Sequence, residues 1–190
     1  MGAEDGPRSV EAVHLLPVGP FPRTLAEELA ARLSRHVAAS CGVVDAAPPV
    51  LVRLPGRDQV DADGLLGTLE ARAAPPDTVL VGLTRLDLAI PIFTFVFGRA
   101  RQGGRAAIVS LARLDPSFYG LAPDPELLAR RAICEVVHEL GHVASLAHCR
   151  DAACIMSFAG AVEKVDVRGS GFCDACHAHL PGWLKVAEGT

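Results

Sequence analysis

His138-Glu139-Leu140-Gly141-His142-Val143-Ala144-Ser145-Leu146-Ala147-His148-Cys149 carries H-E-x-x-H with a third histidine six residues beyond His142. On a helix, His138 and His142 stand four residues apart and project from one face. Two imidazoles at that spacing can grip one Zn²⁺, and Glu139 beside them can act as general base on a zinc-bound water. His148 completes a His₃ set with one position left open for water, the composition of a catalytic rather than a closed structural site. The competing reading is a solvated helix face on which five residues match by chance. The surroundings argue against it. Asp124 is a good N-cap, Pro125 suits the first helical position, and Glu126 suits the positive end of the helix dipole. No proline interrupts residues 127–146, and Leu128, Ala132, Val136, Leu140 and Val143 form an apolar stripe. A long, largely buried helix over about residues 125–146 is therefore predicted.

Downstream, Cys149, Cys154, Cys173 and Cys176 form C-x₄-C followed by C-x₂-C. Four thiolates with two short spacings read as a Cys₄ structural zinc site. The alternative is a pair of disulfides, which needs an oxidising compartment. Residues 1–8 carry no basic-then-apolar signal, so a cytoplasmic, reducing setting and a metal are expected. His177 and His179 flank this cluster and read as surface bystanders. Cys41 and Cys134 read as small buried apolar residues, with Cys134 one turn before His138 and expected beneath the site. Met156 follows eight residues after His148. A lone methionine is usually core filler. In the metzincin pattern, a methionine in a tight turn forms an apolar floor under the three histidines.

The ordered set His138-Glu139-x-x-His142-x₅-His148-Cys149-x₄-Cys154-x-Met156, then Cys173-x-x-Cys176, resembles the archaemetzincin family of metallopeptidases. Residues 83–100 are similar to that family's sheet segment before the active-site helix, and residues 107–114 to its next strand. Phe158, Glu163 and Asp166 lie where the family has like residues, so the resemblance spans residues 78–180. One position departs. Where H-E-x-x-H-x-x-G-x-x-H has a glycine that leaves the helix with positive φ, this chain has Ser145. A non-glycine residue in the left-handed region costs about 1–2 kcal/mol, so either Ser145 accepts that strain or the turn is built differently.

The rest of the chain fits a compact domain. Half of the 190 residues are hydrophobic, enough for a core. A net charge of −4 gives no basic footprint for nucleic acid, and no apolar run is long enough for a membrane span. One metallopeptidase domain over 1–190 is expected: residues 1–8 disordered, 9–148 an N-terminal subdomain, and 149–190 a C-terminal subdomain holding the structural zinc. Strands are predicted at 12–18, 50–54, 78–83, 93–97 and 106–111, and helices at 25–39 and 61–73. The Pro- and Gly-rich stretches 17–22, 46–49 and 73–76 punctuate them, and the Arg-rich stretch 98–105 reads as a solvated turn.

The resemblance implies an α/β (α+β) zincin-like fold: a twisted mixed β-sheet packed on helices including the active-site helix, with a small Cys₄-zinc C-terminal lobe. Residues 93–97 are the expected edge strand, against which an extended peptide could pair. The expected activity is hydrolysis of peptide bonds in a peptide or protein substrate by a monomer with two Zn²⁺ per chain, one catalytic and one structural. Glu139 is the expected base and then the acid for the leaving amine. Ser157 and Phe158 are expected to wall the pocket after the scissile bond. Two other readings stand beside this one. The first is a zinc-binding protein on a metzincin fold with weak or no peptidase activity, supported by Ser145 and by the scarcity of tyrosines beyond Tyr119. The second is another H-E-x-x-H hydrolase with an acid such as Glu163 as third ligand, against which His148 argues.

Overall fold

In the computed structural model, residues 9–46, 49–73 and 75–184 are described. The disorder expected for residues 1–8, and parts of the junctions at 46–49 and 73–76, lie outside them. The chain runs β1 (Ala12–Val18), α1 (Arg23–Leu33), β2 (Ser40–Val43), β3 (Val60–Asp61), α2 (Ala62–Glu70), β4 (Thr78–Thr84), β5 (Leu88–Ala89), β6 (Gly98–Ala100), β7 (Ala106–Ser110), α3 (Pro125–Val143), α4 (Val162–Val167) and α5 (Asp174–His177). The main sheet has the order β2-β1-β4-β7-β6. Its first four strands are parallel, and β6 closes one edge antiparallel to β7. A mixed sheet with an antiparallel edge strand is the expected architecture, and helices cover both faces.

Period-two alternation explains the layering. Val79, Val81 and Leu83 of β4 join Val13, Leu15, Ala107 and Val109 on the face that packs α1 and α3. Leu80 of β4 joins Leu16, Val18 and Ile108 on the opposite face, against Leu65, Leu66 and Leu69 of α2. Gly82 lets α2 approach: a Cβ there would stand 2.7 Å from the Ile108 side chain and 2.8 Å from that of Leu69. The predicted apolar stripe of α3 is buried throughout and faces the first core. Asp124 caps the helix as predicted, accepting the Leu127 N–H at 2.9 Å. Asp61 does the same for α2 through the Asp63 N–H.

Three predicted elements differ. The helix expected over 25–39 stops at Leu33, because Val37 forms an antiparallel bridge to Leu184 and the Ala38 N–H donates to the Trp183 carbonyl at 2.8 Å. Long-range pairing outweighs helix propensity there. The strand expected at 50–54 is absent. Val50, Leu51 and Val52 are exposed, and pairing is confined to an isolated bridge between Arg53 and Val60, flanked by the Asp61 N–H to Val52 carbonyl and Leu54 N–H to Gln59 carbonyl bonds. The second strand is instead β2, a short half-buried run that β-propensity does not flag. The edge strand expected at 93–97 is also displaced. That segment turns after Pro91, bridges to Leu88 only at Val96, and the sheet edge is β6 at 98–100. Aromatic residues favoured a strand assignment there, but Phe95 and Phe97 instead pack on each other edge-to-face at 5.1 Å.

Candidate metal centre

α3 carries His138 and His142 to the cleft side of the sheet, where the chain returns with His148. One donor atom from each of the three histidines lies within 4.8 Å of the others. His138 Nδ1 meets the Ile155 carbonyl at 2.7 Å, and His142 Nδ1 meets the Leu146 carbonyl at 2.8 Å. A carbonyl can only accept, so each Nδ1 carries the proton and each Nε2 keeps its lone pair for a metal. Burial lowers the pKa of all three imidazoles, most strongly at His138. The neutral form is the metal-binding form. His148 is held by ring packing, stacked on His138 and edge-on to Phe158, each at 5.3 Å.

Ser145 does accept the left-handed conformation, with φ +71°. The exit from α3 is a Schellman turn: the Ser145 N–H donates to the His142 carbonyl and the Leu146 N–H to the Gly141 carbonyl, both at 2.9 Å. The β6–β7 turn supports it from outside. The Gly103 N–H also donates to the His142 carbonyl, at 3.1 Å, and Gln102 Nε2 donates to the Ser145 carbonyl at 2.7 Å. These bonds offset the cost of a side chain at positive φ. The stretch 98–105 is thus no mere solvated turn, since it supplies the edge strand and clamps the helix exit.

Glu139 is buried beside the histidines, and its Oε2 has no hydrogen-bond partner among the described residues. Burial pushes its carboxyl well above the usual range, Glu135 pushes further, and Arg168 and Arg99 partly offset this. An orphaned buried carboxylate oxygen next to three neutral imidazoles suits a metal ion and its water. The donor set therefore fits zinc. Gly98 makes the arrangement possible, because a Cβ there would stand 2.5 Å from Glu139 Oε1. Met156 is fully buried and lies against Gly141, where any side chain would strike its sulfur. Neither glycine was singled out from sequence. Glycines over the site could have been sought as the mark of close backbone approach.

Sequence reasoning also missed Glu135 and Arg168. Their side chains are 4% and 2% exposed and form an ion pair at 2.7 Å. Glu135 stands one turn before Glu139, with a carboxylate oxygen within 4.8 Å of donors on His138 and Glu139. Burial raises its pKa, and the Arg168 guanidinium draws it back. Arg168 lies in the cleft lining together with Glu135. No local pattern could pair residues 33 positions apart.

The four cysteines Cys149, Cys154, Cys173 and Cys176 also converge, with sulfurs within 4.8 Å of one another and no disulfide. Cys149 and Cys173 are 3.7 Å apart. A tetrahedron with Zn–S bonds of about 2.3 Å has edges of about 3.8 Å, so these donors fit zinc as well. The Cys149 N–H donates to the Met156 carbonyl at 2.8 Å, tying the cluster to the turn beneath the histidines. His177 and His179 are in none of the metal-competent groups among the described residues, and neither is Glu163. Cys41 and Cys134 are half-buried rather than buried, and burial raises their thiols to about 11 and about 12. Cys134 lines a second cavity rather than the histidine cleft. Tyr119 donates its hydroxyl to the Arg113 carbonyl at 3.0 Å and does not line the cleft. No helix among the described residues is long and apolar enough to cross a membrane.

The cleft is lined by residues from 90 to 102, by the three histidines with Glu135 and Glu139, and by residues 158–160, with a volume of about 450 Å³. Phe93 and Phe158, both exposed, face each other at 6.4 Å at its mouth.

The family profile of Peptidase family M54 matches residues 56–181 of this chain. An archaemetzincin of Methanopyrus kandleri is 47% identical over 129 residues, 68% of this chain and 70% of that protein. One of Methanocaldococcus jannaschii is 40% identical over 110 residues, 57% of this chain and 62% of that protein. The fold is similar to the crystal structure of a zinc-dependent peptidase from Methanocorpusculum labreanum, with a TM-score of 0.80 and 28% identity, covering 89% of this chain and 100% of that one. It is also similar to the solved archaemetzincin of Methanopyrus kandleri, with a TM-score of 0.74 and 34% identity over 88% of this chain and 91% of that one.

Proposed function

The chain belongs to Peptidase family M54, the archaemetzincins, and from that premise we propose that it hydrolyses peptide bonds in peptide or protein substrates. The observation that carries the reading is the convergence of donor atoms from three imidazoles, two of them with Nδ1 held by backbone carbonyls, beside the orphaned oxygen of Glu139. His138, His142 and His148 would hold the catalytic zinc, and Cys149, Cys154, Cys173 and Cys176 a second, structural one. Zinc in the histidine site supplies a Lewis acid that polarises a carbonyl and lowers the pKa of water.

The chain's own groups would do the rest. Glu139 Oε2, raised in pKa by burial, takes a proton from the attacking water and returns it to the leaving amine. β6 is an edge strand along the cleft, so its free backbone groups can pair with an extended substrate and hold it in register. Phe158 beside His148, with Phe93 across the mouth, offers an apolar wall for a substrate side chain. Met156 would serve as the floor beneath the histidines. The reading of a zinc-binding protein without hydrolysis drew on Ser145, and that support weakens because Ser145 adopts the conformation the turn requires.

Metal analysis of the purified chain should find two zinc ions. His142→Ala should lose one and Cys173→Ser the other. Glu139→Ala should retain both and lose cleavage of a peptide library. A Glu139→Ala variant that cleaves as well as the native chain would overturn the assignment.

A further inference from the structure

A second cavity, of about 210 Å³, lies on the side of α3 that carries Cys134. Five arginines line it, Arg32, Arg35, Arg130, Arg131 and Arg168, against two carboxylates, Glu126 and Asp166. Four carboxylates, Glu28, Glu126, Glu135 and Asp166, meet these five guanidiniums and leave an excess of one positive charge, at the rim. Arg32 is committed to Glu126 and Glu28. Arg131 takes both oxygens of Asp166, at 2.8 and 2.6 Å, leaving Arg130 a single 3.3 Å contact with the same carboxylate. Arg35 is exposed and has no ion pair among the described residues. Arg168 spends one terminal nitrogen on Glu135, while its Nε is buried without a partner.

The arginines are graded by depth. Arg130 is 59% exposed at the rim, while Arg131 and Arg168 are 9% and 2% exposed. Ile133 and Val165 supply apolar wall between them. Guanidinium groups from three segments line a volume that suits a compact anion, and the forks of Arg35 and Arg130 match the oxygens of a phosphate group. The apolar wall suits a short carbon skeleton attached to it.

We propose that this cavity is a binding site for a small phosphate monoester, separated from the histidine cleft by Arg168, which lines both, and independent of the peptidase reading. Arg35 and Arg130 receive the phosphate at the rim, while Arg131, bonded through all three nitrogens to Asp166 and the Leu114 carbonyl, and Arg168, paired with Glu135, lend positive charge beneath it. A macromolecular anion is disfavoured by the cavity's size.

The test is isothermal titration calorimetry of the zinc-loaded chain with glycerol 3-phosphate, inorganic phosphate and glycerol. Saturable one-to-one binding of the two phosphates, and none of glycerol, is expected. The double variant Arg35→Ala/Arg130→Ala changes only rim side chains and should weaken both phosphates about tenfold or more. His142→Ala, which disables the cleft, should bind them as the native chain does. The ester is expected to bind more tightly than inorganic phosphate; equal affinity for the two would assign the site to the free ion and remove the role of the apolar wall, overturning the monoester claim. No binding, binding indifferent to the rim substitutions, or binding lost only in His142→Ala would overturn the site itself.

Discussion

The histidine centre and the cysteine cluster adjoin in sequence at His148 and Cys149, yet they are built in opposite ways. Two of the three histidines sit on a 19-residue helix whose buried face belongs to the main core. Their rings are oriented by backbone carbonyls at 2.7 and 2.8 Å, so packing sets their geometry before any metal arrives. The cysteines lie in a segment whose only helices, α4 and α5, have six and four residues. Three of the four cysteines are only half-buried. Ile155, Met156, Val162 and Val165 anchor that segment to the core, but none of residues 169–182, which carry Cys173 and Cys176, is buried, so a metal there would contribute folding energy outright. The contrast separates a site positioned by the fold from one that would help position its own fold.

The largest expected effect concerns chemistry alone. Glu139→Gln should lower peptide hydrolysis by about 10²–10⁴-fold, the usual share of a general base, with both zinc ions and the thermal midpoint unchanged. A midpoint shift comparable to that of core substitutions would blur the contrast. Removing the cysteine metal should instead act on order. Cys173→Ser should speed amide exchange across residues 149–176 while α3 stays protected, and exchange that rises equally in both would break the contrast. The junction is the next lever. Cys149 ties the cluster to the Met156 turn, whose neighbour Ile155 orients His138. Cys149→Ser should therefore weaken catalytic-zinc affinity about tenfold, and unchanged affinity in a variant that has lost the structural zinc would refute the coupling.

Smaller effects test the packing of the histidine side. Gly141→Ala should cost about 1–3 kcal/mol by driving a methyl against Met156, read in a urea titration. Ser145→Gly should stabilise by about 1 kcal/mol or less, because relief of left-handed strain is partly cancelled by glycine's greater entropy when unfolded. A destabilised Ser145→Gly would mean that the serine side chain, near Gly103, contributes more than its backbone costs.

How far the sequence reads depends on the range of the forces involved. α3, its Asp124 cap, and strands β1, β4 and β7 were readable because helical and strand periodicities are local. The end of α1 was not, because Val37 pairs with the distant Leu184; the absent strand at 50–54 and the true edge strand were not, because backbone pairing of Arg53 with Val60 and of residues 98–100 with 107–109, rather than side-chain type, decides them. Within the candidate site, the donor types and spacings of His138, His142, His148 and the four cysteines stood in the sequence, since short loops and one helical turn bring such neighbours together.

Donor identity, spacing and the family they point to are properties of the chain as a string. Which nitrogen of each imidazole is free, why glycine stands at 98 and 141, and how Ser145 holds a positive φ were decided only in three dimensions. The same is true of the buried Glu135–Arg168 pair and the arginine-lined cavity behind α3. These features depend on close packing and on the matching of buried charges. Both join residues that nothing in the local sequence connects.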